Sequence, residues 1–111
     1  MANRRTAGFT TLIVFICALQ SGESQAKPAR CYTTDDGNYP CEFVFVEGEG
    51  SFEISAGGRP TYRLIVDGPG VAYGFVDLGN RFISLPGPYY REEDEPACWF
   101  NPATETRICA W

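Results

Sequence analysis

The chain has 111 residues, of which 14 are acidic, nine are basic and none is histidine, so its formal net charge is −5. Its length suits one small domain, and an acidic chain without a basic patch is not expected to bind nucleic acid. The absence of histidine removes the usual general base, proton shuttle and zinc ligand. We therefore expect no enzyme activity, no cofactor and no metal site.

Residues 1–26 are predicted to be a secretory signal peptide. A positive segment at 3–5 precedes an apolar stretch at 9–19, and a small-x-small cleavage site at 24–26 lies before Lys27. The alternative is an uncleaved membrane anchor. Cleavage leaves residues 27–111 as a single β-domain with no membrane span, in the periplasm or outside the cell.

Short β-prone runs separated by turn signals follow in residues 27–111. The run 41–46 is apolar on both faces, which is typical of a central strand covered on both sides. The run 51–56 alternates, with Phe52, Ile54 and Ala56 inward. The strands after it are predicted at 61–67, 71–78, 81–85, 98–100 and 106–111.

Evenly spaced short strands joined by tight turns predict an all-β fold. We expect an antiparallel meander of six to seven strands that forms a sandwich or a barrel. In strand 61–67 the inward residues are Tyr62, Leu64 and Val66. Gly74 interrupts strand 71–78, which indicates a bulge or a close backbone approach. Residues 86–96 are expected to form the longest loop.

Cleavage at residue 26 removes Cys17 and leaves four cysteines, Cys31, Cys41, Cys98 and Cys109. An even number of cysteines in a small exported chain predicts two disulfides. Three pairings are open. Tight turns between neighbouring cysteines favour Cys31 with Cys41 and Cys98 with Cys109, whereas the chain-entropy model slightly favours crossed pairs because their loops are longer.

Two acidic segments could in principle bind cations. Asp35-Asp36-Gly37-Asn38 lacks the alternating ligand spacing of a calcium loop and is better explained as a turn. The acidic run 92–95 is better explained as a solvated loop, and a site for a cation or a basic partner is the alternative.

The candidate binding segment lies in the predicted loop 86–96. Loops on rigid β-scaffolds often carry recognition, and Tyr and Arg are favoured interface residues. The alternative is that the two tyrosines cover the end of a small core. The predicted binding residues are Tyr89, Tyr90, Arg91, Glu92, Glu93 and Asp94.

One stretch of the sequence resembles a known family. Residues 69–73, Pro-Gly-Val-Ala-Tyr, follow the segment 58–64, Gly-Arg-Pro-Thr-Tyr-Arg-Leu. Between Thr61 and Phe82 the chain resembles the periplasmic inhibitors of C-type lysozyme, which are small exported β-barrels with disulfides and a Ser-Gly-x-x-Tyr motif. Pro69 stands at the serine position, and no lysine follows Phe82.

These observations favour an exported, non-catalytic domain that binds an unidentified protein or envelope ligand, and we expect it to be a monomer. The alternative that the resemblance implies is a periplasmic inhibitor of a lysozyme-type enzyme.

Overall fold

The computed structural model describes residues 25–46 and 49–111, so all but the last two residues of the predicted signal peptide lie outside the described part. This part folds into eight strands and contains no helix, and hence no helix that could cross a membrane. The strands are β1 (Lys27–Thr33), β2 (Gly37–Phe45), β3 (Phe52–Ser55), β4 (Thr61–Gly68), β5 (Val71–Asp77), β6 (Phe82–Arg91), β7 (Cys98–Asn101) and β8 (Thr106–Ala110).

The strands form a closed antiparallel barrel. Each strand pairs with the next one along the chain, and β8 pairs back to β1 through Cys31–Ala110 and Thr33–Ile108. The predicted all-β antiparallel meander is confirmed, and the barrel is the form it takes. The number of strands is eight because β1, which begins with Lys27-Pro28 and has no clear apolar alternation, also joins the sheet.

The core lies inside the barrel and consists of alternate residues of each strand. Phe52, Ile54 and Leu64 are almost fully buried, and Tyr62 and Val66 pack against them. The predicted inward faces of β3 and β4 are therefore confirmed. An eight-stranded barrel is just wide enough for its interior to be filled by side chains.

Strand β2 has only one covered face, so the prediction of a doubly covered strand at 41–46 is wrong. Tyr39 and Cys41 are buried inside the barrel, whereas Pro40 and Glu42, on the opposite face of the strand, are exposed. The barrel is a single sheet closed on itself, and within residues 25–46 and 49–111 no second layer of strands or helices covers its outer surface.

The prediction of one loop at 86–96 is also wrong, because β6 continues through Arg91. Proline has no N–H to donate to a neighbouring strand. The strand tolerates Pro86 and Pro88 because β6 pairs with β7 only at Tyr90 and Arg91, beyond both prolines. The side chain of Asn101 bridges the two strands instead, since its Nδ2 donates to the Pro86 carbonyl at 2.7 Å.

Gly74 marks both a bulge and a close approach. The register between β5 and β6 shifts between Tyr73 and Phe75. A Cβ at residue 74 would lie 2.6 Å from Cε1 of Tyr89. The missing side chain therefore makes room for the Tyr89 ring inside the barrel.

Both disulfides join near neighbours in the chain, as the tight-turn argument predicts. Cys31 and Cys41 lie in the buried core, and Cys98 faces Cys109 directly across β7 and β8. Residues 34–36, which include Asp35 and Asp36, form the turn between β1 and β2. Two disulfides are consistent with an oxidising extracellular compartment.

Candidate functional site

The predicted binding residues do not form one surface. Tyr89, Tyr90 and Arg91 belong to strand β6, in which successive side chains point to opposite faces of the sheet. Tyr89 points into the barrel and is 2% exposed, whereas Tyr90 points outward and is 46% exposed. Arg91 is exposed, and its guanidinium lies 4.7 Å from the ring centroid of Trp99. The alternation of side chains along a strand separates Tyr89 from Tyr90.

The acidic residues begin where β6 ends. Arg107 of β8 donates from Nε and Nη2 to the two carboxylate oxygens of Glu92, at 2.7 and 2.6 Å. These hydrogen bonds stabilise the charged carboxylate and lower the pKa of Glu92. They hold the start of the acidic segment against β8, while Glu93 and Asp94 are exposed to solvent.

The register of four strands places Tyr90 in a continuous row on the outer surface. Val71 of β5 faces Tyr90, Tyr90 faces Phe100 of β7, and Phe100 faces Arg107 of β8. Directly opposed residues share one face of a sheet and lie about 5 Å apart, so their side chains are in contact range. Phe100 is 39% exposed, close to the exposure of Tyr90.

A second pair adjoins this row. Tyr73 of β5 faces Pro88 of β6, and each lies two residues along its strand from the row, on the same side. Tyr73 is 44% exposed. We call these outward residues the aromatic face: Val71, Tyr73, Pro88, Tyr90 and Phe100.

Sequence reasoning found Tyr90 but missed Phe100 as a surface residue. Phe100 lies between Trp99 and Asn101, both buried, so the alternation in β7 does place it outward. What the sequence lacks is the register that sets Phe100 beside Tyr90.

The described residues contain Asp, Glu, Cys and Tyr side chains but no histidine. None of their Asp, Glu and Cys residues form a group of three or more that could hold a metal ion. The four cysteines of residues 27–111 are all in disulfides. Burial, followed by the nearby carboxylates of Asp35 and Asp36, raises the pKa of Tyr62 from its ordinary value of 10.0 to about 12.

The comparisons with known proteins place the chain in no family. No family model matches the sequence, no curated protein matches it, and no solved structure matches the chain.

Proposed function

We propose that residues 27–111 form an exported, non-catalytic binding domain that recognises a basic protein through the aromatic face. The observation that carries the proposal is the row Val71–Tyr90–Phe100 with Tyr73 beside it. Three large aromatic side chains, each about two-fifths exposed, adjoin on one surface. Contiguous exposed apolar groups of this kind are typical of interaction sites, and tyrosine is a favoured interface anchor.

Charge indicates the kind of partner. Residues 27–111 hold 13 of the 14 acidic residues and seven of the nine basic residues, a net charge of −6. The exposed carboxylates of Glu93 and Asp94 follow Tyr90 by three and four residues in the chain. A positively charged partner surface would be steered to this region and would complement it.

The aromatic side chains are also well suited to binding because they project from paired strands. Their backbone is fixed by the sheet, so little conformational entropy is lost when a partner binds. The signal peptide predicted at 1–26 and the two disulfides support a role outside the cytoplasm.

A pull-down from envelope extract tests this function. The bait is the mature domain, compared with Tyr90→Ala and Phe100→Ala, and captured proteins are identified by mass spectrometry. Phe45→Ala is the matched control, since Phe45 is an exposed aromatic residue outside the aromatic face. We expect a basic protein whose affinity falls at least tenfold in both test variants, as for interface anchors, and which the control retains.

The dependence of binding on salt concentration tests whether the partner is recognised by its positive charge. Because exposed charges are screened by salt, binding of the captured protein should weaken as the salt concentration is raised. If all four baits recover the same proteins equally, or if the captured protein is acidic, the proposal is wrong.

A second candidate function is inhibition of a lysozyme-type enzyme, which the resemblance at 69–73 implies. The observation in its favour is that Tyr73, the tyrosine of that stretch, is exposed within the aromatic face, and Pro69 is exposed in the turn before it. Titrating the mature domain and Tyr73→Ala into a C-type lysozyme assay decides it. Inhibition that Tyr73→Ala abolishes supports this function, and no effect at micromolar excess excludes it.

A further inference from the structure

The barrel is open at one end and contains a cavity there. The turns β1–β2, β3–β4, β5–β6 and β7–β8 all lie at this end, and each contributes to the lining, through Asp35, Pro60, Leu78 and Thr104. The cavity has a volume of about 250 Å³. We call this feature the mouth cavity.

The inner wall of the mouth cavity is apolar and made of inward-facing strand residues. These residues are Tyr62, Val76, Leu85, Tyr89 and Ile108. An apolar cavity of about 150 Å³ is enough to hold benzene, so by proportion about 250 Å³ suits roughly ten non-hydrogen atoms. Eight-stranded barrels can hold one small ligand in this position.

One side of the mouth cavity carries a chain of hydroxyl groups. Oγ1 of Thr104 and Oγ1 of Thr106 lie 2.6 Å apart, and the Tyr89 hydroxyl lies 3.4 Å from Oγ1 of Thr106. The second distance is long for a bond between two hydroxyls, which usually lie about 2.7–2.8 Å apart. The Tyr89 hydroxyl is therefore weakly bonded and can bond to a ligand instead.

The charges at the rim and the apolar inner wall together select against ionised ligands. Arg107 lines the cavity, but its guanidinium is bonded to the carboxylate of Glu92. Asp35 lies on the rim, and it and Asp36 act on Tyr62 as negative charges that raise the pKa of its phenol. A ligand anion would be repelled by these carboxylates. A cation would be attracted to them at the rim, but it would lose its hydration on entering the inner wall, which carries no charged side chain.

We propose that the mouth cavity binds a small neutral molecule of about ten non-hydrogen atoms, with an aromatic or aliphatic body and one hydroxyl or carbonyl group that bonds to the Tyr89 hydroxyl. This site is separate from the aromatic face, because Tyr89 and Tyr90 point to opposite sides of β6. The proposal for the mouth cavity is therefore tested independently of the proposed function.

The binding test uses the oxidised mature domain and ¹⁵N–¹H correlation spectra. The probes are 2-naphthol, naphthalene and 2-naphthoate, which share one ring system and differ in a hydroxyl group or a negative charge. We expect saturable shifts with 2-naphthol that are confined to the four turns at the mouth and the adjacent strand ends. Affinity for 2-naphthoate should be at least tenfold weaker.

Two tyrosine variants test the polar contact. Tyr89→Phe removes the hydroxyl in the cavity and keeps the ring. It should lower the affinity for 2-naphthol about fivefold, the effect of one net hydrogen bond, and leave the affinity for naphthalene unchanged. Tyr39→Phe is the matched control, because Tyr39 is also buried but does not line the cavity, and its hydroxyl has no partner among the described residues. Tyr39→Phe should leave both affinities unchanged.

A filling variant tests the location of the site. Val76→Phe places a ring in the cavity and should abolish the shifts with both 2-naphthol and naphthalene in protein whose spectrum remains folded. If Val76→Phe does not fold, the pair Tyr89→Phe and Tyr39→Phe still decides the matter. The proposal is overturned if no probe gives saturable shifts, if the shifts map to the aromatic face, if 2-naphthoate binds as tightly as 2-naphthol, or if the two tyrosine variants behave alike.

Discussion

Gly74 should be among the least replaceable glycines of the barrel. In Gly74→Ala the new methyl group would lie 2.6 Å from Cε1 of Tyr89 and 3.3 Å from Cδ1 of Leu85. Carbon atoms pack at about 3.5–4.0 Å. The Tyr89 ring must therefore move by roughly 1 Å to restore an ordinary contact, although it is almost fully buried among other core side chains.

The expected loss follows from two opposing effects. Forcing an extra carbon into a packed core costs about 1–3 kcal/mol. Replacing glycine by alanine within a strand raises the free energy of unfolding by about 0.5–1 kcal/mol, because alanine loses less conformational entropy than glycine when the chain folds. Gly74 does not have a positive φ, so alanine adds no backbone strain. We expect Gly74→Ala to lower the free energy of unfolding by about 1–2 kcal/mol.

Urea unfolding followed by circular dichroism measures this change. Gly57→Ala is the matched control, since Gly57 lacks a positive φ and its Cβ would meet nothing within 4 Å. It should change stability by less than about 0.5 kcal/mol. In a Tyr89→Leu background the clash is relieved, so Gly74→Ala should be neutral or stabilising. An equal loss in both backgrounds would refute the contact with Tyr89 as the cause.

Three further predictions concern the core and the disulfides. Asn101→Ala should lower the free energy of unfolding, measured in urea, by about 3 kcal/mol. The buried Asn101 amide donates to the Pro86 carbonyl and accepts from the Ala103 N–H, and both hydrogen bonds would be lost. A loss under about 1 kcal/mol would contradict this role. The raised pKa of Tyr62 means that the folded state holds this proton more tightly. Its contribution to stability is complete below the ordinary pKa of 10.0 and is lost as pH rises toward 12, so in alkaline unfolding experiments Tyr62→Phe should lose less stability over this interval than the wild type. Reduction of both disulfides, which close loops of 10 and 11 residues, should lower the free energy of unfolding by about 5 kcal/mol. Circular dichroism with and without reductant measures the loss, and unchanged stability would show that the disulfides are dispensable.

Much of the fold could be predicted from the period of the apolar residues. The alternation at 51–56 and 61–67 places Phe52, Ile54 and Leu64 inside, and they are inside. Proline misled the prediction at 86–96, because whether a strand tolerates Pro86 depends on whether a neighbour needs its N–H. That is a property of the pairing with β7, which the local sequence does not contain.

The candidate sites were harder to predict because each joins residues that are distant in the sequence. The aromatic face depends on the register that sets Tyr90 beside Phe100, and the mouth cavity collects side chains from five strands and four turns. Composition indicated tyrosines available for recognition. It could not indicate that two adjacent tyrosines, Tyr89 and Tyr90, face the cavity and the solvent respectively.

This division along β6 has a consequence for interpreting variants of the domain. A double change at Tyr89 and Tyr90 would remove a core ring and a surface ring together, so a loss of binding could follow from unfolding alone. Single changes separate the two effects, because Tyr90→Ala leaves the barrel interior intact and Tyr89→Phe leaves the outer surface intact. A loss of binding in a single variant of the aromatic face would therefore report a lost surface contact, because the interior of the barrel stays packed when these outward side chains are altered.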